Sequence, residues 1–135
     1  MDPRFLLDTN ICIYMRQRRP PGVLARFRRL QPGEAAISVI TYGELLHGVE
    51  KSRFREQATR QLMELAGLVP VLALPAYAGQ SHGAIRAALE AKGETIGNND
   101  LWIAAHAKAA GLVLVTNNEQ EFRRIPGLKI QNWVE

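Results

Sequence analysis

The stretch FLLDTNICIY, Phe5–Tyr14, decides the fold. Three apolar residues, Phe5 to Leu7, stop on Asp8, and from Thr9 to Met15 the apolar residues recur at helical spacing. A buried strand that hands its carboxyl end to a helix is a βα unit. An aspartate at that junction has two readings, an Asx turn that ends the strand or a ligand presented beyond it.

The same alternation continues outward. Pro20, Pro21 and Gly22 break the chain, and Val23, Leu24, Phe27 and Leu30 mark a second helix. AAISVI (35–40) is a second strand, followed by the helix TYGELLHGVEKS (41–52) with Tyr42, Leu45, Leu46 and Val49 on one apolar stripe. The pattern predicts a helix from Phe54 to Ala66 ended by Gly67, a third strand in LVPVLAL (68–74), and a helix from Ala76 to Ala91 ended near Gly93. NNDLWIAAHAKAAG (98–111) is a helix with Asn or Asp at its start and Gly111 past its end, and LVLVT (112–116) is a fourth strand. A helical turn near Glu119–Arg123 precedes a last strand in PGLKIQNW (126–133). Strands that are apolar at nearly every position and alternate with helices predict an α/β fold whose mostly parallel sheet of four to five strands is covered on both faces.

The 135 residues are expected to form one domain, 1–135, around a shared core. No apolar run approaches the roughly 18 residues that a membrane span needs. MDPRFLLD has no signal-peptide pattern, and Cys12, the only cysteine, has no internal partner, so a cytoplasmic protein is expected. Of the 17 basic residues 13 are arginine, and six of these, Arg16, Arg18, Arg19, Arg26, Arg28 and Arg29, lie in MRQRRPPGVLARFRRL. The planar guanidinium suits phosphate, which tilts the chain toward nucleic acid, while a solvated helix face would look the same.

In an open α/β sheet, ligands bind beyond the carboxyl ends of the strands. Asp8 follows the first strand, Glu44 lies early in the helix after the second, and Asp100 opens the helix before the fourth. All three point to that edge, and Asp100 falls in line with Ala104 and Ala107, toward the sheet. Each also has a structural role to offer: a turn for Asp8, a cap for Asp100, a solvated face for Glu44. Carboxylates gathered at one edge repel and need a counter-charge, which a hard divalent cation holding a few carboxylates and several waters supplies. Such an ion activates water and orients a phosphodiester, which is nuclease chemistry.

These residues carry a resemblance. LLDTNICIY, ISVITYGELLHGV, IGNNDLWIAAHA and LVTNNEQEFRRIPGLKIQNW occur in the order and spacing of the PIN-domain family, and the chain resembles the VapC-type ribonuclease toxins of type II toxin–antitoxin systems. The resemblance implies a PIN-like three-layer sandwich and a Mg²⁺- or Mn²⁺-dependent endoribonuclease. Its catalytic acids would be Asp8, Glu44 and Asp100, with the metal held directly by Asp8 and Asp100 and Glu44 acting through a water. Thr9, Asn10 and Thr116 would support them. Where many PIN domains carry a fourth acid this chain has Asn118, which weakens a second metal site, and Glu119 or Glu121 is placed to compensate.

The family further implies a VapB-type antitoxin, homodimers and higher toxin–antitoxin assemblies, and structured RNA as substrate, with tRNA preferred. Arg16, Arg18, Arg19, Arg86, Arg123 and Arg124 are the candidate phosphate contacts. Ile11, Ile13, Tyr14, Val23, Leu24 and Phe27 form the candidate antitoxin surface, with core packing the competing role for each. Trp102 and Trp133 read as packing residues, and His47, His82 and His106 as structural or surface residues without metal-ligand spacing. An aspartyl-nucleophile phosphatase would need a second aspartate where Asn10 stands. A weakly catalytic module acting in an antitoxin co-repressor complex is the non-enzymatic alternative.

Overall fold

The computed structural model describes residues 2–134. The strands β1 (Phe5–Leu7), β2 (Ala35–Ser38), β3 (Val71–Leu72), β4 (Val113–Val115) and β5 (Ile130–Gln131) form one sheet in the order β3-β2-β1-β4-β5. All four pairings are parallel, with Phe5 opposite both Ala35 and Val113. The helices are α1 (Thr9–Gln17), α2 (Pro21–Arg28), α3 (Val39–Lys51), α4 (Arg55–Leu68), α5 (Ala78–Lys92), α6 (Asn98–Ala110) and α7 (Glu119–Phe122). The three-layer arrangement follows from period-2 burial in the strands. Phe5, Leu7, Ile37 and Val115 face a core closed by α1 to α4, while Leu6 and Leu114 face a second core with α5, α6 and Phe122.

The strand order reverses direction between β1 and β4, so the loops after these two strands diverge and leave a crevice at their carboxyl ends. Asp8 closes β1 and Thr116 follows β4, one on each side of that crevice.

Several boundaries differ from the pattern. The second strand ends at Ser38, not Ile40, because the Ser38 hydroxyl accepts from the Ile40 N–H at 3.1 Å and caps α3. Helix α4 runs through Gly67 to Leu68, because Gly67 stays outside the left-handed region that ends a helix at glycine, and Val69 N–H still reaches the Leu65 carbonyl at 2.9 Å. The third strand shrinks accordingly. Leu46 is 38% exposed, so the buried stripe of α3 is Thr41, Leu45 and Val49. The start of α6 is capped by Gly97 without a side-chain hydrogen bond, which leaves Asn98, Asn99 and Asp100 free for other partners. Gly93 and Gly111 do end α5 and α6 in left-handed conformations, at φ 68° and 69°. Trp133 is buried against Phe5 as a packing residue, whereas Trp102 is half-buried and stacks on His82 at 3.7 Å. Among the described residues no helix is long and apolar enough to cross a membrane.

Candidate active site

Asp8 does both things that its position allows. Its Oδ1 accepts from the Ile11 N–H at 2.9 Å, which caps α1, and its carboxylate sits buried at the sheet edge. Burial pushes its pKa up from 3.8 to about 6, against the hydrogen bonds from Thr116 and Ile11, and the charge of Glu44 adds to the rise. Thr116 is buried and relays: its hydroxyl donates to Asp8 while its Oγ accepts from the Asn118 N–H at 2.9 Å. Asn10 supports Asp8 through its backbone N–H, with its side chain exposed.

Glu44 is held from two sides. Thr9 donates its hydroxyl to Oε1 at 2.5 Å, and Asn99 donates from Nδ2 to Oε2 at 3.4 Å. The solvated helix face expected by default is therefore a fixed, half-exposed carboxylate. The contribution of Asn99 was hidden in the run Asn98–Asn99, which reads as a capping signal. Asp100 is half-buried in the first turn of α6. Its pKa rises to about 7, chiefly through burial, then through the charge of Glu121 and a hydrogen bond with it, then through Glu44 and Asp8.

Four carboxylates, Asp8, Glu44, Asp100 and Glu121, thus sense one another. The chain's choice between the two acids after β4 is plain. Glu121 joins the cluster and receives a hydrogen bond from Asn118, whereas Glu119 turns to Arg123 at 2.8 Å and Asn132 at 3.2 Å. Asn118, standing where an acid is common, serves to position one.

Most of the candidate arginines are engaged away from the acids. No Lys, Arg or His contributes to the shifts of Asp8 or Asp100. Arg123 pairs with Glu119, Arg86 with Glu90, and Arg124 donates to the Thr95 carbonyl. Arg18 ends α1, Arg19 is exposed, and Arg16 lines a cavity together with Thr9 and Glu44. The set of oxygen donors without imidazole or thiol fits a hard divalent cation. Among the described residues no three His, Cys, Asp or Glu are arranged as a group that could hold a metal ion, so the carboxylates as they stand do not form a complete ligand set.

Two further residues tie the frame together. His106, on α6, is buried with Nδ1 2.9 Å from the Ser38 Oγ, so the helix that carries Asp100 is joined to the cap of the helix that carries Glu44. Burial keeps its pKa below the usual imidazole value, in line with a structural role. Of the expected antitoxin surface, Ile11 and Val23 are fully buried core, while Ile13, Tyr14, Leu24 and Phe27 are partly exposed.

The family description "PIN domain" matches residues 5–128. Ribonuclease VapC2 of Haemophilus influenzae is 40% identical over 131 residues, covering 97% of this chain and 98% of that protein. The tRNA(fMet)-specific endonuclease VapC of Shigella flexneri is 40% identical over 130 residues, covering 96% and 98%. The crystal structure of DNA-bound VapBC from Salmonella typhimurium superposes with a TM-score of 0.91 at 40% identity, covering 97% of this chain and 98% of that one. Full-length similarity, the parallel sheet and the acids at its crevice lead to one conclusion: the chain belongs to the PIN-domain family, in its VapC branch.

Proposed function

We propose that the chain is a Mg²⁺- or Mn²⁺-dependent endoribonuclease toxin that cuts structured RNA, tRNA foremost, and is restrained by a VapB-type antitoxin. One observation carries the reading: Asp8, Glu44 and Asp100 are brought to the crevice beyond β1 and β4, where Thr9 beside Asp8 and Asn99 beside Asp100 both hold Glu44. Asp8 and Asp100 are the residues that would hold the cation. When bound, the ion supplies charge for the transition state and lowers the pKa of water. Glu44, fixed by Thr9 and Asn99, is oriented to take the proton of the attacking water. Burial and the charge of Glu121 hold the pKa of Asp100 at about 7, and a cation held there would favour its charged form. Thr116 and the α1 cap keep Asp8 in place throughout.

The preference for tRNA is supported by a VapC relative, 40% identical, that is named for tRNA(fMet). A VapB-type partner is supported by the VapBC structure that the chain superposes on. A cavity of about 430 Å³ between α1, α2 and α4, lined by Leu24, Phe27 and the exposed Leu68 with Arg18 and Arg28 at its edge, offers an apolar seat for an antitoxin segment.

The test is incubation of total tRNA with purified protein in Mg²⁺, Mn²⁺ or EDTA, beside Asp8→Asn and Asp100→Asn. Cutting is expected only with the metal and is lost in both variants. Equal cutting in EDTA, or wild-type rates from both variants, would refute the mechanism.

A further inference from the structure

Glu44 stands on a ridge between two depressions. One, of about 400 Å³, is lined by Thr9, Glu44, Arg16, Gly48, Phe54 and Gln57; the other, of about 540 Å³, by Thr9, Glu44, Val39, Gly43, His47 and Asn99. Thr9 and Glu44 are common to both, so a chain-like ligand can cross α3 with one unit on each side of the acids. We propose that a single-stranded RNA segment takes this path, its reacting phosphate at the carboxylates and one base stacked on Phe54. The proposal rests on the ribonuclease reading and adds a path and a recognition element to it.

Phe54 is 72% exposed, the most exposed of the large hydrophobic side chains among the described residues. It sits at the mouth of the first depression on a loop that is held still. Its N–H donates to the Ser52 Oγ at 3.0 Å, and its carbonyl accepts from the Ala58 N–H at 2.9 Å. An exposed aromatic ring on an anchored backbone, in one depression with a guanidinium, suits an unpaired base: the ring can stack and Arg16 can meet phosphate.

The glycines of α3 point the same way. Gly43 and Gly48 interrupt a helix in which alanine would be more stable, and a Cβ at either position would meet nothing within 4 Å. No packing inside the protein explains their size. Each lines one of the two depressions, so the absence of a side chain keeps both approaches to Glu44 clear. An RNA fits better than a peptide here because one depression offers both an exposed aromatic ring, Phe54, for a base and a guanidinium, Arg16, for a phosphate.

Binding of a short fluorescein-labelled single-stranded RNA to Asp100→Asn protein in Mg²⁺, read by anisotropy, tests the path without cleavage. Adding Phe54→Ala is expected to weaken binding about ten-fold, Phe54→Tyr to restore it, and Gly48→Leu, which fills the first depression, to weaken it at least as much, with thermal stability unchanged or raised. Unchanged RNA binding by Phe54→Ala and Gly48→Leu would overturn the proposal. So would variants that lose a co-expressed antitoxin while binding RNA normally, since the track would then belong to a protein partner. If wild-type protein cuts no RNA in Mn²⁺ yet these variants weaken binding as expected, the ribonuclease reading fails and the RNA track stands.

Discussion

Replacing Asp8 by asparagine should make the protein more stable and inactive at once. The pKa of Asp8 is raised from 3.8 to about 6, a gap of about 2.2, and at ~1.4 kcal/mol for each unit the charged form opposes folding by ~3 kcal/mol at pH 8. Asparagine keeps the cap on Ile11, because its side-chain oxygen accepts as well at that position. It loses the charged acceptor for the Thr116 hydroxyl, which costs about 1–2 kcal/mol. The net gain is ~1–2 kcal/mol, or about 4–7 °C in Tm for a domain of this size. The sign with pH is fixed. A raised folded-state pKa contributes stability below the unfolded value near 4, and this is lost as pH rises through about 6. The advantage of Asp8→Asn should therefore vanish or reverse near pH 4, grow up to about pH 6 and level off above it. Thermal unfolding by circular dichroism in EDTA, from pH 4 to 8, reads this directly, and Mn²⁺ should narrow the gap by stabilising the wild type. An Asp8→Asn protein less stable than wild type at pH 8, or a gap that does not change with pH, would refute the reasoning.

Glu121→Gln removes the leading charge that raises Asp100, so the acid limb of the pH–rate profile should move to lower pH, while Glu119→Gln leaves the limb in place; profiles in Mn²⁺ separate the two. Thr9→Val frees Oε1 of Glu44 and should lower kcat about ten-fold or more with the fold intact, measured by steady-state cleavage beside circular dichroism. Ser38→Ala removes the cap of α3 and leaves His106 Nδ1 without its partner, for a loss of about 1–3 kcal/mol in urea unfolding.

What was legible in the sequence was what local chemistry controls. Phe5–Leu7 stopping on Asp8, and the helix from Asn98 to Gly111, are set by apolar period and by glycine, and the structure keeps both. The placement of Asp8, Glu44 and Asp100 at one edge was legible as well, because each lies at the carboxyl end of a strand or on a helix that starts there. The limits of β3 and α4 were not, since Gly67 ends a helix only if the chain beyond it turns left-handed, and here Val69 and Pro70 lead straight into the sheet through the bond from Ile37 N–H to the Pro70 carbonyl. The choice of Glu121 over Glu119 was hidden for a different reason. A four-residue helix has no face of its own, so Phe122 in the core, Asn118 and Arg123 decide which acid turns inward.

The link between Ser38 and His106 bears on how the site tolerates change. It joins the two acid-bearing helices through an uncharged contact buried from solvent, one that neither salt nor an arriving cation can screen. The spacing of Glu44 and Asp100 is thus set by a neutral brace, while their reactivity is set by charges that come and go. Such a division lets the charge at Asp100 change while the two helices keep their spacing.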